Sequence, residues 1–207
     1  MRKDAYFWIV MLMRGIVALL MGSMVLIIPD MARTLLLLPL AMVIAILGLA
    51  TYGVVDSAFV LVSSFMTESR AARAGLLVQG SVGISIGLLL LIVVFEKVHL
   101  EWFLILGAFQ AACAGVGEMV VAKHARTHEI SRWNYAAGAI ALVSSIGYLT
   151  LLIGFANRLN SELISWLLYG YLIAFGIAQS ITAARMLYAD RRFFLGGQTA
   201  LYEGVAQ

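Results

Sequence analysis

The chain has little charge, little proline and almost no cysteine. Of its 207 residues, 12% are charged, two are proline and one is cysteine. A single cysteine excludes a disulfide within the chain and argues against a thiolate metal centre, which needs several cysteines. So low a charge content also excludes the surface of an ordinary soluble domain, where about a quarter of the residues are charged.

What the chain has instead is apolar sequence in long runs. Hydrophobic residues make up 63% of it, and the mean hydropathy is +0.99. A helix needs about 20 mostly apolar residues to cross a bilayer, and six runs reach that length: 6–28, 35–64, 74–95, 100–122, 133–156 and 163–187. The sequence therefore predicts an all-α integral membrane protein with six transmembrane helices in one domain, 1–187, surrounded by lipid.

The distribution of positive charge predicts the orientation in the membrane. Ten Lys and Arg residues fall on the side of the N-terminus and three on the other: Arg2, Lys3, Arg70, Arg73, Lys123, Arg126, Arg132, Arg185, Arg191 and Arg192 against Arg33, Lys97 and Arg158. Positive residues near span ends favour the cytoplasmic side. We expect both termini inside the cell. The net charge of +3 reflects this topology and indicates no nucleic-acid partner.

The last 20 residues, 188–207, are predicted to form a cytoplasmic tail. The segment 191–195 combines two arginines with Phe193, Phe194 and Leu195, a composition typical of a short segment lying on the anionic inner leaflet. The rest of the tail is expected to be mobile.

One pattern recurs three times: a glycine is followed three residues later by a polar side chain. The pairs are Gly53 with Asp56, Gly115 with Glu118, and Gly176 with Gln179, and their glycines are 62 and 61 residues apart. The first helices repeat less fully. The pair Arg14-Gly15 resembles Gln79-Gly80, while Ala139-Ile140 takes the third place. We interpret the chain as three repeated helical hairpins, 6–64, 74–122 and 133–187, closing around a pseudo-threefold axis.

Glycines are expected to pack the helices together, because small residues let helix backbones approach closely in lipid. The predicted packing positions are Gly15, Gly22, Gly80, Gly83 and Gly87. The third span is richest in them and is predicted to be the central helix. Its Gly83-x-x-x-Gly87 motif would also suit a contact between two copies of the chain.

A layer of polar residues is expected in the inner half of the membrane. At a rise of about 1.5 Å per residue, Arg14 and Asp56 lie at the same depth. The full set is Arg14, Asp56, Gln79, Glu118 and Gln179. A charged side chain at this depth costs about 2.5–3.5 kcal/mol on insertion scales, so it is normally paired or functional.

Two interpretations of the polar layer compete. In the structural one, Arg14 bridges Asp56 and Glu118 to fix helix register, and the glutamines satisfy the remaining donors. In the functional one, a single arginine leaves one of two carboxylates without a counter-charge, and that carboxylate accepts a proton. Glu118 is the better candidate for the proton site.

No motif indicates an enzyme. The sequence contains no Gly-x-Ser-x-Gly, no His-Glu-x-x-His and no phosphate-binding glycine loop, so we predict no catalytic residues and no cofactor. His124 and His128 are four residues apart and could share a helix face, but two histidines without a third ligand are a weak metal signal.

The arrangement resembles a known family. Trp8, then Arg14-Gly15 with Gly22 seven residues on, and a closing Pro29 are similar to the first helix of the HdeD-type acid-resistance membrane proteins of bacteria. The resemblance covers roughly residues 6–187 and implies six spans and a non-enzymatic role in acid or stress tolerance.

Two other functions fit the same residues. One is a small proton-coupled transporter or channel that uses Arg14, Asp56 and Glu118. The other is an accessory subunit that docks on a larger membrane complex.

Overall fold

The chain folds into six α-helices. The computed structural model describes residues 7–34, 38–67, 69–95, 100–124, 128–154 and 161–205. The helices are α1 (Phe7–Thr34), α2 (Leu38–Met66), α3 (Arg70–Phe95), α4 (Leu100–Lys123), α5 (His128–Gly154) and α6 (Ser161–Val205). Consecutive helices are separated by only three to six residues.

Most of these helices can cross a membrane. Five segments in the described residues are long and apolar enough: Phe7–Val25, Arg70–Ile92, Leu104–Lys123, Ile130–Gly154 and Trp166–Tyr188. In α2 the part that the structure describes with its side chains, Ala50–Met66, is also apolar but is shorter than a span. Helices suit such sequences because every backbone hydrogen bond is made within the segment, as a bilayer without water requires. The all-α membrane class is thus confirmed.

The helices pack as a closed ring in chain order, in which each helix contacts mainly the helix before it and the helix after it. The closest pairs are α2 with α3, α4 with α5, and α1 with α6, and looser contacts join α1 to α2, α3 to α4, and α5 to α6. The close pairs therefore lie between successive predicted hairpins rather than within them. The prediction that the third span is central was wrong, because glycine content reports close approach to one neighbour and not a central position.

Two of the close pairs meet through a glycine on each helix. A Cβ added to Gly15 of α1 would lie 3.0 Å from the carbonyl oxygen of Gly176 on α6, and one added to Gly176 would lie 2.9 Å from that of Gly15. Gly115 on α4 and Gly138 on α5 face each other in the same way, at 2.8 and 2.9 Å. No side chain fits between backbones at this distance, so glycine is required at both interfaces.

The third close pair uses glycines on α3 alone. A Cβ on Gly80 would lie 3.0 Å from the carbonyl oxygen of Ser57, and one on Gly87 would lie 3.1 Å from that of Ala50. Gly83, between them, faces the hydroxyl of Ser57.

The remaining predicted packing glycine, Gly22, lies against Leu172 and Ile173 of α6. All five predicted glycines thus lie at close helix contacts.

Two helices run past their predicted ends. Helix α1 continues through Pro29 to Thr34, which membrane helices tolerate because neighbouring groups satisfy the freed carbonyl. Helix α6 continues through Gly196 and Gly197 to Val205, so residues 188–205 of the predicted tail are helical. The apolar span ends near residue 187, but no proline follows it and a glycine costs only about 1 kcal/mol in a helix.

Exposed cations lie near the helix ends that the sequence assigns to the cytoplasm. Arg70 and Arg73 begin α3, Lys123 ends α4 and Arg132 lies in the second turn of α5, all with exposed side chains. Other cations used for the topology prediction lie outside the described residues: Arg2, Lys3, Lys97, Arg126 and Arg158.

Candidate functional site

The centre of the candidate site is Arg14, whose side chain is fully buried. Its Nε donates to Oδ1 of Asp56 at 2.8 Å, and its Nη2 donates to Oδ2 at 3.3 Å. Its Nη1 donates to Oε1 of Glu118 at 2.7 Å. One guanidinium thus joins three helices, α1, α2 and α4, through charge-assisted hydrogen bonds, and the contact with Asp56 is bidentate. We call these three residues the ion-pair cluster.

Apolar side chains enclose the guanidinium. The ring centroid of Phe175 on α6 lies 5.7 Å from Cζ of Arg14, within the range of a cation–π interaction. The sulfur of Met11, one turn earlier on α1, lies 3.8 Å from Nη1. The Gly15–Gly176 contact brings α6 against α1 next to this point, so the local packing depends on the glycine that follows Arg14.

The ion-pair cluster is not balanced in charge. Among the residues whose side chains the structure describes, Arg14, Asp56 and Glu118 are the buried members of the Asp, Glu, Lys and Arg classes. With both carboxylates ionised, their sum is one negative charge. The second carboxylate oxygen of Glu118, Oε2, is buried and has no hydrogen-bond partner. The geometry therefore provides a place for one proton or one other positive charge.

The two glutamines of the predicted layer are buried but do not complete the cluster. Both amide atoms of Gln179 lack a partner, and so does Oε1 of Gln79. The expectation that the glutamines satisfy the remaining guanidinium donors was wrong. Gln79 instead packs its amide against Gly117 of α4.

A cavity lies beside Asp56, inside the ring of helices. It offers about 40 Å³ to the centres of water molecules, and since each needs about 10–15 Å³ by this measure, it has room for about three. Its polar lining consists of Tyr52, Asp56, Ser57, Gln79, Gln110, Tyr148 and Tyr171. The side chain of Asp56 retains 11% of its accessible surface, whereas those of Arg14 and Glu118 retain none. Asp56 is therefore the member of the cluster that a small molecule in the cavity can reach.

Sequence reasoning missed several buried polar residues near this site. Asn134 on α5 is fully buried, and neither of its amide atoms has a partner. Tyr148 is 3% exposed with an unpartnered hydroxyl. The sequence did contain a signal for Asn134: it lies one helical turn before Gly138, a glycine at a close helix contact. Tyr148 falls in an apolar run where tyrosine is ordinarily read as an interfacial anchor.

The part of the chain that the structure describes contains no group of three His, Cys, Asp or Glu residues able to hold a metal ion. His124 lies at the end of α4 with Nδ1 2.9 Å from the carbonyl oxygen of Val120. This contact with its own helix accounts for the position of the His124 ring without a bound metal ion.

Comparison with known protein families, with characterised proteins and with solved structures finds no match to this chain. The site is therefore interpreted from its own chemistry.

Proposed function

We propose that this chain is a non-enzymatic protein of the bacterial inner membrane that acts in acid or stress tolerance, as the HdeD-type proteins it resembles do, and that the ion-pair cluster is its proton-binding site. Both termini would be cytoplasmic and the six helices would form three repeated hairpins. The alternation of close and loose pairs around the ring supports the repeat. The exposed cations near the ends of α3, α4 and α5 support the orientation.

The observation that carries the proposal is the single buried arginine between two carboxylates. Glu118 uses Oε1 to accept from Arg14, and its buried Oε2 accepts from no group. A proton bound to Oε2 would leave Oε1 free to keep its hydrogen bond and would make the cluster neutral. Protonation would thus remove an uncompensated charge from a buried site, which is costly to leave charged.

The groups that face the carboxylates favour this assignment. Arg14 contacts Asp56 through two hydrogen bonds and Glu118 through one. Asp56 is better supplied with donors than Glu118, so the proton belongs on Glu118.

Survival at low pH tests the proposal. Cells lacking the gene should survive acid poorly, and the wild-type protein should restore survival. Glu118→Gln, which keeps the hydrogen-bonding shape but cannot bind a proton, should not. Gln179→Leu is the matched control, because it changes an equally buried side chain that makes no hydrogen bond to the cluster. The wild-type protein and the two variants must be present in the membrane in equal amounts.

Two results would contradict the proposal. If cells without the gene survive acid normally, the role in acid tolerance is wrong. If Glu118→Gln restores survival fully, the proton site is wrong.

The cavity favours a second candidate function, a proton-coupled transporter or channel. Asp56 borders both the cavity and Arg14, so an ion in the cavity could reach the cluster. Proton flux into liposomes that contain the purified protein tests this function under an imposed pH gradient. Flux that Glu118→Gln and Asp56→Asn abolish would support transport, and absence of flux in the wild type would exclude it.

A further inference from the structure

A second cavity lies between α5 and α6, at the end of the bundle that the sequence assigns to the cytoplasm. Its described lining consists of Arg132, Trp133 and Ala136 on α5 and Arg185 on α6, and its volume is about 300 Å³. The α5–α6 pair is one of the looser contacts of the ring, which leaves room for it. The three residues on α5 fall within one helical turn, a rise of about 6 Å. They therefore border one compact site and not an extended channel.

The described lining of this cavity carries two positive charges and no negative one. Arg132 and Arg185 are both exposed, and no Asp or Glu is among the described lining residues. An arginine presents five N–H donors in a planar fork that matches the oxygen atoms of a phosphate. Arg185 can thus bind a phosphate oxygen while it keeps the interaction that it already makes within the protein. Charge and donors together favour an oxygen-bearing anion as the ligand.

The depth of the cavity in the membrane is that of the lipid headgroups. Arg132 is two residues after the start of the apolar segment Ile130–Gly154, and Arg185 is three residues before the end of Trp166–Tyr188. Arginine side chains at such positions extend toward the interface, and a tryptophan ring such as that of Trp133 is favoured at the same level. Because phospholipid phosphates lie at this level, they meet the cavity at a far higher local concentration than a dissolved phosphate does.

We propose that this cavity binds the headgroup of an anionic phospholipid, whose phosphate oxygens accept hydrogen bonds from Arg132 and Arg185. The two guanidinium groups need not share one oxygen, because a phosphodiester has two charged oxygens. A zwitterionic headgroup is disfavoured, since its ammonium group would lie beside two arginines with no carboxylate in the described lining. Basic pockets between membrane helices on the cytoplasmic side bind anionic headgroups in this way. The inference does not rest on proton binding or on a role in acid tolerance.

Lipid-dependent stability of the purified protein tests the proposal. A ligand that binds only the folded protein raises Tm once its concentration exceeds its Kd. Tm is measured in a neutral detergent at constant ionic strength with phosphatidylglycerol, with phosphatidylcholine of the same acyl chains, or with inorganic phosphate. We expect phosphatidylglycerol to raise Tm more than the other two ligands do. Native mass spectrometry of the same samples should show phosphatidylglycerol retained on the chain.

Two variants remove the charges of the cavity one at a time. Arg132→Gln and Arg185→Gln should each weaken phosphatidylglycerol binding by about fivefold, the worth of one basic residue beside an anionic membrane surface. The matched control is Arg70→Gln, which removes an exposed cation from the start of α3, outside the described lining. It should keep the wild-type lipid dependence. The shift is measured against the Tm of each variant without lipid, so a change in intrinsic stability does not affect the comparison.

A pair of alanines supplies a steric test that leaves the charge unchanged. Ala136 is half-buried and borders the cavity, whereas Ala139 is exposed on the same helix and is not among the described lining residues. Ala136→Phe should reduce the effect of phosphatidylglycerol on Tm, because the aromatic ring would occupy the cavity. Ala139→Phe should leave that effect as it is in the wild type.

Four results would overturn the proposal. If phosphatidylcholine raises Tm as much as phosphatidylglycerol, the cavity does not select an anionic headgroup. If inorganic phosphate does so, the ligand is free phosphate and not a lipid. If Arg132→Gln and Arg185→Gln both keep the wild-type lipid dependence, the lipid binds elsewhere. If Arg70→Gln weakens binding as much as they do, the basic face of the bundle attracts lipid without a site. None of these results involves Glu118, so the acid-survival test is unaffected.

Discussion

Two sets of buried polar residues lie in the same bundle and differ in how many hydrogen bonds they make. In the ion-pair cluster, Arg14 makes three hydrogen bonds to carboxylates on two other helices. On α5 and α6, the amides of Asn134 and Gln179 are just as buried and have no partner at all. The same ring of helices therefore contains one set that is tightly bonded and one that is not.

The difference follows from charge. An ionised group moved out of water loses far more solvation than an amide does, so it is retained only beside an opposite charge. An amide without a partner costs about 1–3 kcal/mol, which a stable bundle can tolerate. We therefore expect the cluster to govern helix register and the amides to contribute little to stability.

The largest effect is expected from Arg14→Met. Removing the guanidinium leaves two buried carboxylates without a counter-charge and should lower the free energy of unfolding by about 3–5 kcal/mol. Thermal unfolding in detergent measures the loss. The triple variant Arg14→Met, Asp56→Leu, Glu118→Met is the control and should recover most of the stability, because it removes all three charges. If the Arg14→Met variant is as stable as the wild type, the cluster does not hold the helices together.

A smaller effect is expected from Gly15→Val, which acts on the packing behind Arg14. The new Cβ would lie 2.5 Å from Oγ of Ser180 and 3.0 Å from the carbonyl oxygen of Gly176, so α6 must shift. Overpacking of this kind costs about 1–3 kcal/mol. The matched control is Gly170→Val, at a position with no atom within 4 Å of the added Cβ. If the two variants have equal melting temperatures, the fold does not require the close contact between α1 and α6.

The smallest effect is expected from Gln179→Leu on the amide side of the comparison. Leucine has a similar size and removes two unpartnered atoms, so Tm should stay the same or rise, with a change in the free energy of unfolding within about 1 kcal/mol. Differential scanning fluorimetry is sufficient to detect this. A loss as large as that of Arg14→Met would mean that Gln179 has a partner that matters, and the contrast between the two sets would disappear.

The sequence alone predicted the class of the fold and the depth of the ion-pair cluster in the membrane. Long apolar runs specify membrane helices because the bilayer offers the backbone no other partners. The depth of Arg14 and Asp56 follows from counting residues along straight helices, and in the structure their side chains are 2.8 Å apart. The packing glycines could be predicted because only they allow backbones to approach closely in lipid.

The arrangement around the ring could not be predicted in the same way. Gly138 was passed over in the repeat, where Ala139-Ile140 was aligned with Arg14-Gly15, yet it faces Gly115 as Gly15 faces Gly176. Which face of each helix meets which neighbour depends on the rotation of the helix about its axis. Helical periodicity is weak in a sequence that is apolar on all sides, so the pattern carried too little information to set that rotation.

The sequence by itself determined that the chain is an all-helical membrane protein, and that three charged groups lie deep within it, because hydropathy and residue counting act along one dimension. Only the tertiary structure decided that Gln79 and Tyr148 face one cavity with Asp56, and that Gln179 and Asn134 are left without partners. Those outcomes depend on side chains brought together from different helices, and such contacts are set by packing in three dimensions.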